Sequence, residues 1–240
     1  MADTGVEEKP AEFDVYAGSY DAALNQGLAV SGQSKEYFAR RRVEFLSQIL
    51  QRMQFQSKRV LDFGCGTGAA TPFLLNNLSP RPESLFGVDV SPELVSLARR
   101  DFGSEQANFL VLEDLECTGQ FDLAFCNGVF HHIRPEERAQ AVGYVKSALR
   151  PGGLFAFWEN NPWNPGTRYV MSKIPFDRDA ITLTAPQARR LLISAGLEVL
   201  STDFLFIFPG PLSWLCGVET LLSRWPLGAQ YQVLCRKPEA

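Results

Sequence analysis

Residues 60 to 68 read Val60-Leu61-Asp62-Phe63-Gly64-Cys65-Gly66-Thr67-Gly68, and this segment sets the interpretation of the whole chain. Its first residues suit a buried strand, and glycines then follow at alternate positions. Glycine permits a positive φ and lets a ligand approach the backbone where a Cβ would block it. The run 69–78 has the apolar spacing of a helix. A strand, a glycine turn and a helix in this order predict a site for a nucleotide-like ligand.

The glycines fit two different cofactor patterns. Residues 64–69 match the dinucleotide pattern G-x-G-x-x-A, and Asp89 follows where a ribose-binding acid is expected. Spaced as G-x-G-x-G with Asp62 two residues ahead, the same segment resembles motif I of the class I S-adenosylmethionine-dependent methyltransferases. A carboxylate at Asp62 would repel a pyrophosphate but suits a ligand with a cationic amino-acid end. The second interpretation is therefore favoured.

The composition narrows the class of protein. The chain has 240 residues, 45% of them apolar and 21% charged, which is ordinary for a globular domain. The net charge of −4 argues against a nucleic-acid partner, and the densest basic cluster, Arg40-Arg41-Arg42, is expected to be a solvated helix face. The five cysteines are scattered without C-x-x-C spacing, which indicates neither a disulfide framework nor a zinc knuckle.

The chain is expected to divide into three parts. Residues 1–12 are polar and predict a disordered tail, 13–57 a helical cap or lid, and 58–240 the cofactor-binding domain. The polar N-terminus lacks a secretory signal, and no apolar run is long enough to span a bilayer. We therefore expect a cytoplasmic protein without stable membrane insertion; the sequence leaves its oligomeric state open.

Strands alternate with helices along the chain. Apolar runs predict strands at 59–63, 85–90, 108–112, 154–158, 197–208 and 231–235, with another beginning at Phe121. Helices are predicted at 34–54, from Ser91, at 134–149, at 184–196 and, as an apolar stripe, at 212–225. This alternation predicts an α/β fold with a doubly wound, mostly parallel sheet. The resemblance implies a seven-stranded Rossmann-like sheet whose last strand is antiparallel.

The resemblance also implies a set of cofactor-binding residues. Asp89 would accept hydrogen bonds from the ribose hydroxyls, and Asp114, or its neighbour Glu113, would meet the adenine amino group. Tyr20 belongs to an aromatic segment that either closes over the cofactor or packs the first helix on the core. The full cofactor set comprises Asp62, Gly64, Cys65, Gly66, Gly68, Asp89, Val90, Asp114, Leu115, Asn127, Gly128 and Tyr20.

Acceptor and catalytic residues are predicted from their position at strand ends. The candidate bases are His132, His131 and Glu159, although the histidines could instead cap a helix or hold their loop. The predicted acceptor pocket contains Tyr16, Asn160, Trp163, Arg168 and Trp214. No metal is expected, because spacing typical of metal ligands is absent beyond the histidine pair.

The favoured function is therefore methyl transfer from S-adenosyl-L-methionine, leaving S-adenosyl-L-homocysteine, to a small and partly apolar acceptor. The acceptor atom, whether oxygen, nitrogen, sulfur or carbon, stays open. A nicotinamide-dependent oxidoreductase is one alternative, but no Tyr-x-x-x-Lys pair follows the fourth strand. A protein that binds the cofactor without turnover is the other.

Overall fold

The computed structural model describes residues 20–116 and 118–239. Its strands are β1 Arg59–Phe63, β2 Ser84–Asp89, β3 Ala107–Val111, β4 Phe121–Asn127, β5 Leu149–Asn160, β6 Glu198–Leu205 and β7 Gln230–Arg236. Its α-helices are α1 Tyr20–Leu28, α2 Lys35–Arg52, α3 Thr71–Asn77, α4 Pro92–Phe102, α5 Arg138–Ala148, α6 Pro165–Met171, α7 Ala185–Ser194 and α8 Glu219–Leu222. Short 3₁₀ turns occupy Ala29–Ser31, Leu112–Asp114, Pro175–Asp177 and Gly210–Val218.

The strands form one sheet in the order β3-β2-β1-β4-β5-β7-β6. Neighbours from β3 to β5 pair in parallel, whereas β7 pairs antiparallel with both β5 and β6. Within the described ranges, β7 therefore runs against the other six strands. This arrangement confirms the predicted doubly wound α/β fold with an antiparallel last strand. The carboxyl ends of β1, β2, β3, β4 and β5 meet at one edge of the sheet, where ligands bind in such folds.

Helices cover both faces of the sheet. On one face, α2 packs Val43, Leu46 and Leu50 against residues of the central strands that include Trp158. On the other face, α5 and α7 pack against a second core cluster, to which Leu192 belongs. Strands buried on both faces explain why their sequences are continuously apolar rather than alternating.

Local signals locate several helix ends. The Ser91 hydroxyl accepts a hydrogen bond from the Leu94 amide at 3.1 Å, with proline at the first helical position of α4. The Thr184 amide donates to Oε1 of Gln187 at 2.8 Å at the start of α7. Each was expected from the sequence, because a cap depends only on residues within one turn.

Three predicted elements differ from the structure. The helix expected from 134 begins at Arg138, and the strand expected at 154–158 extends over Leu149–Asn160. The single helix expected at 212–225 is instead the 3₁₀ segment Gly210–Val218 followed by the short α8. Leu212 has non-helical backbone angles there, and Gly210 packs so closely against Gly32 that a Cβ on Gly210 would lie 2.9 Å from the Gly32 carbonyl oxygen. The division into tail, cap and domain stays a prediction; among the described residues, no helix is both long and apolar enough to cross a membrane.

Candidate functional site

The turn after β1 is fixed by backbone hydrogen bonds. The amides of Gly64 and Cys65 donate to the Val88 carbonyl at 2.8 and 3.0 Å, and the Gly66 amide donates to Oδ2 of Asp89 at 2.9 Å. Gly66 has φ = +53°, and a Cβ placed on it would meet no described atom within 4 Å. This glycine therefore lets a ligand approach the turn.

A cavity of about 430 Å³ opens at this edge of the sheet. Its floor is formed by the turn after β1 and by the carboxyl ends of β4 and β5. Helices α1, α2 and α6, the residues just after α6 and the segment 206–209 supply mostly apolar walls, among them Phe38, Val170, Ile174, Phe206 and Phe208. One end is thus polar and the rest is apolar, which is typical of a pocket for an organic ligand.

Two buried acceptor atoms on the floor have no hydrogen-bond partner among the described residues. They are Oδ2 of Asp62 and Oδ1 of Asn127, and both residues line the cavity. Burial, together with the nearby charge of Asp89, raises the pKa of Asp62 to about 7. Unpaired acceptors are costly in a protein interior, so these two atoms indicate a donor that a ligand supplies.

Arg42 extends from α2 to the same cavity and is only 9% exposed. Its Nε donates to Oε1 of Gln230 at 2.8 Å, and Nε2 of Gln230 donates to Oδ1 of Asn160 at 3.0 Å. The guanidinium lies 5.9 Å from the centroid of the Phe206 ring. No described carboxylate lies within ion-pair distance of Arg42. Burial lowers its pKa to about 9, so the side chain remains a cation at neutral pH.

The expectation that the arginine cluster is a solvated face is wrong for two of its three members. Arg40 is exposed, but Arg41 pairs with Glu219 at 3.6 Å and Arg42 is buried. Arg42 lies on the same stripe of α2 as the buried Ala39 and Leu46, three residues before it and four after it. That helical spacing is the feature of the sequence that indicates the burial of Arg42.

A second polar group joins the loop after β4 to the end of β5. Nδ1 of His131 lies 2.7 Å from Oε2 of Glu159, and the Phe130 amide donates to Oε1 of Glu159 at 2.7 Å. On its other side, Nε2 of His131 lies 3.5 Å from Oδ1 of Asp177. Nε2 of His132 lies 3.3 Å from the same oxygen. Two carboxylates therefore enclose one buried imidazole.

The charge on this group follows from its surroundings. Burial disfavours the imidazolium form of His131, but the charge of Glu159 and hydrogen bonds to both carboxylates outweigh it and raise its pKa to about 10. Burial acts against the charge of Asp177 as well, yet the hydrogen bonds from the two histidines hold its pKa below the usual value. His131 is therefore protonated at neutral pH and already bonded at both nitrogens.

Known proteins resemble this chain over its cofactor-binding half. The family model described as a methyltransferase domain matches residues 61–155. A non-reducing polyketide synthase from Aspergillus calidoustus is 32% identical over 135 residues, covering 49% of this chain and 5% of that protein. A carboxy-S-adenosyl-L-methionine synthase from Erwinia tasmaniensis is 27% identical over 128 residues, covering 51% and 52%. Residues 61–155 are thus similar to a methyltransferase domain, and the comparisons support S-adenosylmethionine as the cofactor.

The structural comparison agrees on the fold of this chain. A chain from the complex that contains the Haloferax volcanii Trm112 methyltransferase activator superimposes with a TM-score of 0.64 at 21% identity. The match covers 96% of this chain and 100% of that one. The alignments with the first three curated relatives span only 5%, 25% and 52% of those proteins. The comparisons thus identify the fold and its cofactor, S-adenosylmethionine, and leave the acceptor open.

The cavity is lined by nine of the residues that the sequence proposed for the site. They are Asp62, Gly64, Cys65, Gly66, Asn127, Gly128, His131, His132 and Asn160. Asp89 lies beside them through its bond with the Gly66 amide, whereas Gly68 faces away, because a Cβ there would come within 2.9 Å of Phe102. Val90, Asp114 and Leu115 follow β2 and β3 at the same sheet edge but outside this cavity. Tyr16 lies outside the described residues, and Tyr20 is the first residue of α1.

Of the catalytic and acceptor residues predicted from the sequence, four described ones are not brought to the cavity. Glu159 is wholly buried behind His131. Trp163 and Trp214 are 52% and 76% exposed, and Arg168 is exposed as well. Trp163 and Arg168 point away from the cavity because of the orientation of α6. Asn164 caps that helix and donates to the Leu227 carbonyl at 2.8 Å. Thr167, Val170 and Met171 of α6 consequently line the cavity instead.

One group of side chains among the described residues has the spacing of metal ligands. His131, His132 and Asp177 each offer a ligand atom, and these atoms lie within 4.8 Å of one another. The raised pKa of His131 already supplies one positive charge between the carboxylates of Glu159 and Asp177. The absence of a metal stays a prediction. Asp177 was missed in the sequence because it lies 46 residues beyond His131 in a segment without a motif.

Proposed function

We propose that this methyltransferase transfers the methyl group of S-adenosylmethionine to a small, partly apolar acceptor in the cavity of about 430 Å³. The observation that carries the proposal is the combination of a polar floor at the turn after β1 with apolar walls from α1, α2 and α6. The floor suits the amino-acid end of the cofactor, and the walls suit the acceptor. Both would lie in one chamber, as transfer between them requires.

The residues present fit the charged groups of the cofactor. Asp62 and Asn127 supply the two unpaired acceptor atoms that an ammonium group would satisfy. Arg42, a buried cation without a described acid partner, would bind the carboxylate of the same methionyl group. A ligand end with one ammonium group and one carboxylate would thus bind the two unpaired acceptor atoms and the Arg42 cation in the same cavity. The proposed roles of Asp89 toward the ribose and of Asp114 toward the adenine complete the binding site.

The cofactor supplies a methyl group on a sulfonium, which an acceptor nucleophile takes by in-line displacement while the electron pair of the broken C–S bond leaves with S-adenosylhomocysteine. The protein has to align the acceptor and exclude water. Phe38, Ile174 and Phe208 provide the apolar wall for this purpose. Gln230 and Asn160 position the Arg42 side chain through their hydrogen bonds.

The pair His132 and Asp177 is the proposed proton acceptor for an acceptor group that must be deprotonated. Donation of the Nε2 proton of His132 to Asp177, 3.3 Å away, places the lone pair of the imidazole on Nδ1. His131 is unsuitable as a base, since it is already protonated at neutral pH, and Glu159 is buried behind it. These two residues are instead proposed to hold the loop that carries His132.

The choice of a small acceptor has three supports. The cavity volume suits an organic molecule, and the chain carries a net charge of −4, which does not attract nucleic acid. In addition, one relative is named as a polyketide synthase and another as a carboxy-S-adenosyl-L-methionine synthase, and both names denote small-molecule chemistry.

Incubation with cofactor labelled in the methyl group and a panel of small acceptors tests this proposal. Label is expected in the organic extract, and His132→Ala is expected to lower turnover about 100-fold while binding of S-adenosylhomocysteine is kept. Exposed Glu136→Gln serves as a matched control with unchanged turnover. Label retained in protein or RNA would contradict the small acceptor. Cofactor binding without turnover across the panel would support the non-catalytic alternative.

A further inference from the structure

The methyltransferase exposes large apolar side chains in two neighbouring segments, 163–173 and 210–228, which together we call the rim face. Of the nine large apolar side chains that the described residues leave more than half exposed, six belong to the rim face. They include three of the four tryptophans of the chain. The six are Trp163, Tyr169, Trp214, Leu221, Trp225 and Leu227.

Side-chain hydrogen bonds join the two segments of the rim face. Nδ2 of Asn164 donates to the Leu227 carbonyl at 2.8 Å. The Thr167 hydroxyl donates to the Ala229 carbonyl at 2.7 Å, immediately after the second segment. Asn161, just before the first segment, donates to the Pro226 and Gly228 carbonyls. Residues 226–229, at and just after the end of the second segment, therefore lie against the first segment.

The charges on the rim face have one sign. Lys173, Arg168 and Arg224 are exposed cations. The one acid within the two segments, Glu219, is 2% exposed, accepts a hydrogen bond from the Ile207 amide and pairs with Arg41. A chain with a net charge of −4 thus presents an apolar surface bordered by cations and without an exposed acid.

The rim face also borders the cavity. Tyr169 and Asn164 line the cavity, and Tyr169 is 51% exposed at the same time. Pro209, which directly precedes the second segment, lines the cavity as well. A binding partner on the rim face would therefore contact the residues around the cavity opening.

We propose that the rim face docks on the surface of an anionic phospholipid bilayer. Tryptophan and tyrosine side chains prefer the boundary between headgroups and acyl chains, where Leu221 and Leu227 would enter the apolar layer. Arg168 and Lys173 would meet the anionic headgroups. The docking is peripheral, and it would place the cavity opening at the lipid boundary. An acceptor could then enter from the bilayer; that last link alone rests on the proposed function.

Co-sedimentation of the full chain with vesicles tests the proposal. Binding is expected to vesicles of phosphatidylglycerol mixed with phosphatidylcholine and to weaken with salt or with phosphatidylcholine alone. The variant L221S/W225S/L227S is expected to lower the partition coefficient about tenfold or more, since it removes three exposed apolar side chains. Lys173→Glu is expected to lower it about fivefold.

Helix α7 offers matched controls away from the rim face. Ile193→Ser removes an apolar side chain that is 52% exposed, and Arg190→Glu reverses an exposed charge. Both should leave vesicle binding unchanged. Equal vesicle binding by wild type and triple variant, or none by wild type, would overturn the proposal. So would a dimer of the wild type that the triple variant loses, because the rim face would then bind a second copy. Calorimetry with S-adenosylhomocysteine separates this outcome from failure of the proposed function, since docking does not require cofactor binding.

Discussion

Nδ1 of His131 lies 2.7 Å from Oε2 of Glu159, and both side chains are almost completely buried. The pair links the loop after β4 to the end of β5, which are adjacent strands in the sheet. A buried ion pair contributes little over an apolar replacement, but loss of one partner leaves an uncompensated charge. The conformation of the loop that carries His132 therefore depends on Glu159.

Replacement of Glu159 by glutamine should destabilise the fold. The variant keeps the size of the side chain but removes the charge opposite the buried imidazolium, so a loss of about 3–5 kcal/mol in the free energy of unfolding is expected. Urea denaturation monitored by fluorescence measures it. Glu136→Gln, at an exposed position, should change stability by less than about 0.5 kcal/mol. Equal stability of the two variants would show that His131 is not charged in the folded protein.

The same pair predicts a pH dependence of stability. The pKa of His131 is raised from 6.5 to about 10, so the folded state binds a proton that the unfolded state releases between these values. The stabilisation is complete below pH 6.5 and is lost as the pH rises through about 10. The free-energy difference between wild type and His131→Asn should shrink over this range, by at most about 1.4 kcal/mol per pH unit. A difference that does not vary with pH would contradict the raised pKa.

Asp62 should make cofactor binding depend on pH near neutrality. Its pKa is raised to about 7, so much of the free protein carries a neutral carboxyl group at pH 6. An ammonium group favours the ionised form, and affinity for S-adenosylhomocysteine is therefore expected to rise between pH 6 and pH 7.5 with proton release. Titration calorimetry in buffers of different ionisation enthalpy measures that release. Asp62→Asn should bind more weakly and without the pH dependence, and a flat wild-type profile would exclude this role.

Arg42 should contribute to cofactor affinity, whereas the nearby Arg40 should not. Removal of a charged hydrogen-bond donor to a carboxylate is expected to weaken binding about 10- to 100-fold in Arg42→Ala. Arg40→Ala, at an exposed position two residues earlier, should bind like the wild type. The measurement is the dissociation constant of S-adenosylhomocysteine for both variants. Unchanged affinity for S-adenosylhomocysteine in a folded Arg42→Ala protein would contradict this role. Arg42 would then be assigned to binding of the acceptor.

Two glycines should respond in opposite ways to alanine. Gly66→Ala places a methyl group in the open space of the cavity and forces alanine to a positive φ, so both cofactor affinity and stability should fall, the latter by about 1–2 kcal/mol. Gly143→Ala, within α5 and with no described atom within 4 Å of the new Cβ, should raise stability by about 0.5–1 kcal/mol. Thermal denaturation with and without S-adenosylhomocysteine measures both. Unchanged affinity in Gly66→Ala would place the ligand elsewhere.

The sequence alone determined those features whose cause lies within a few residues. The motif turn at 60–68, the cap at Ser91 and the alternation of strands and helices are local, since backbone conformation depends on adjacent residues and on apolar spacing. The sheet and the cofactor class follow from them, and the comparisons confirm both. The hydrogen bond of the Gly66 amide with Asp89 spans one βα unit, a distance that a sequence motif still covers.

Only the tertiary structure decided which side chains share the cavity. Arg42 and Gln230 lie 188 residues apart, and His131 meets Glu159 and Asp177 from two other elements. It also decided that Trp163, Arg168 and Trp214 lie outside, on the surface that forms the rim face. The physical reason is that burial, charge pairing and exposure depend on packing between distant segments, and no spacing within one segment encodes them.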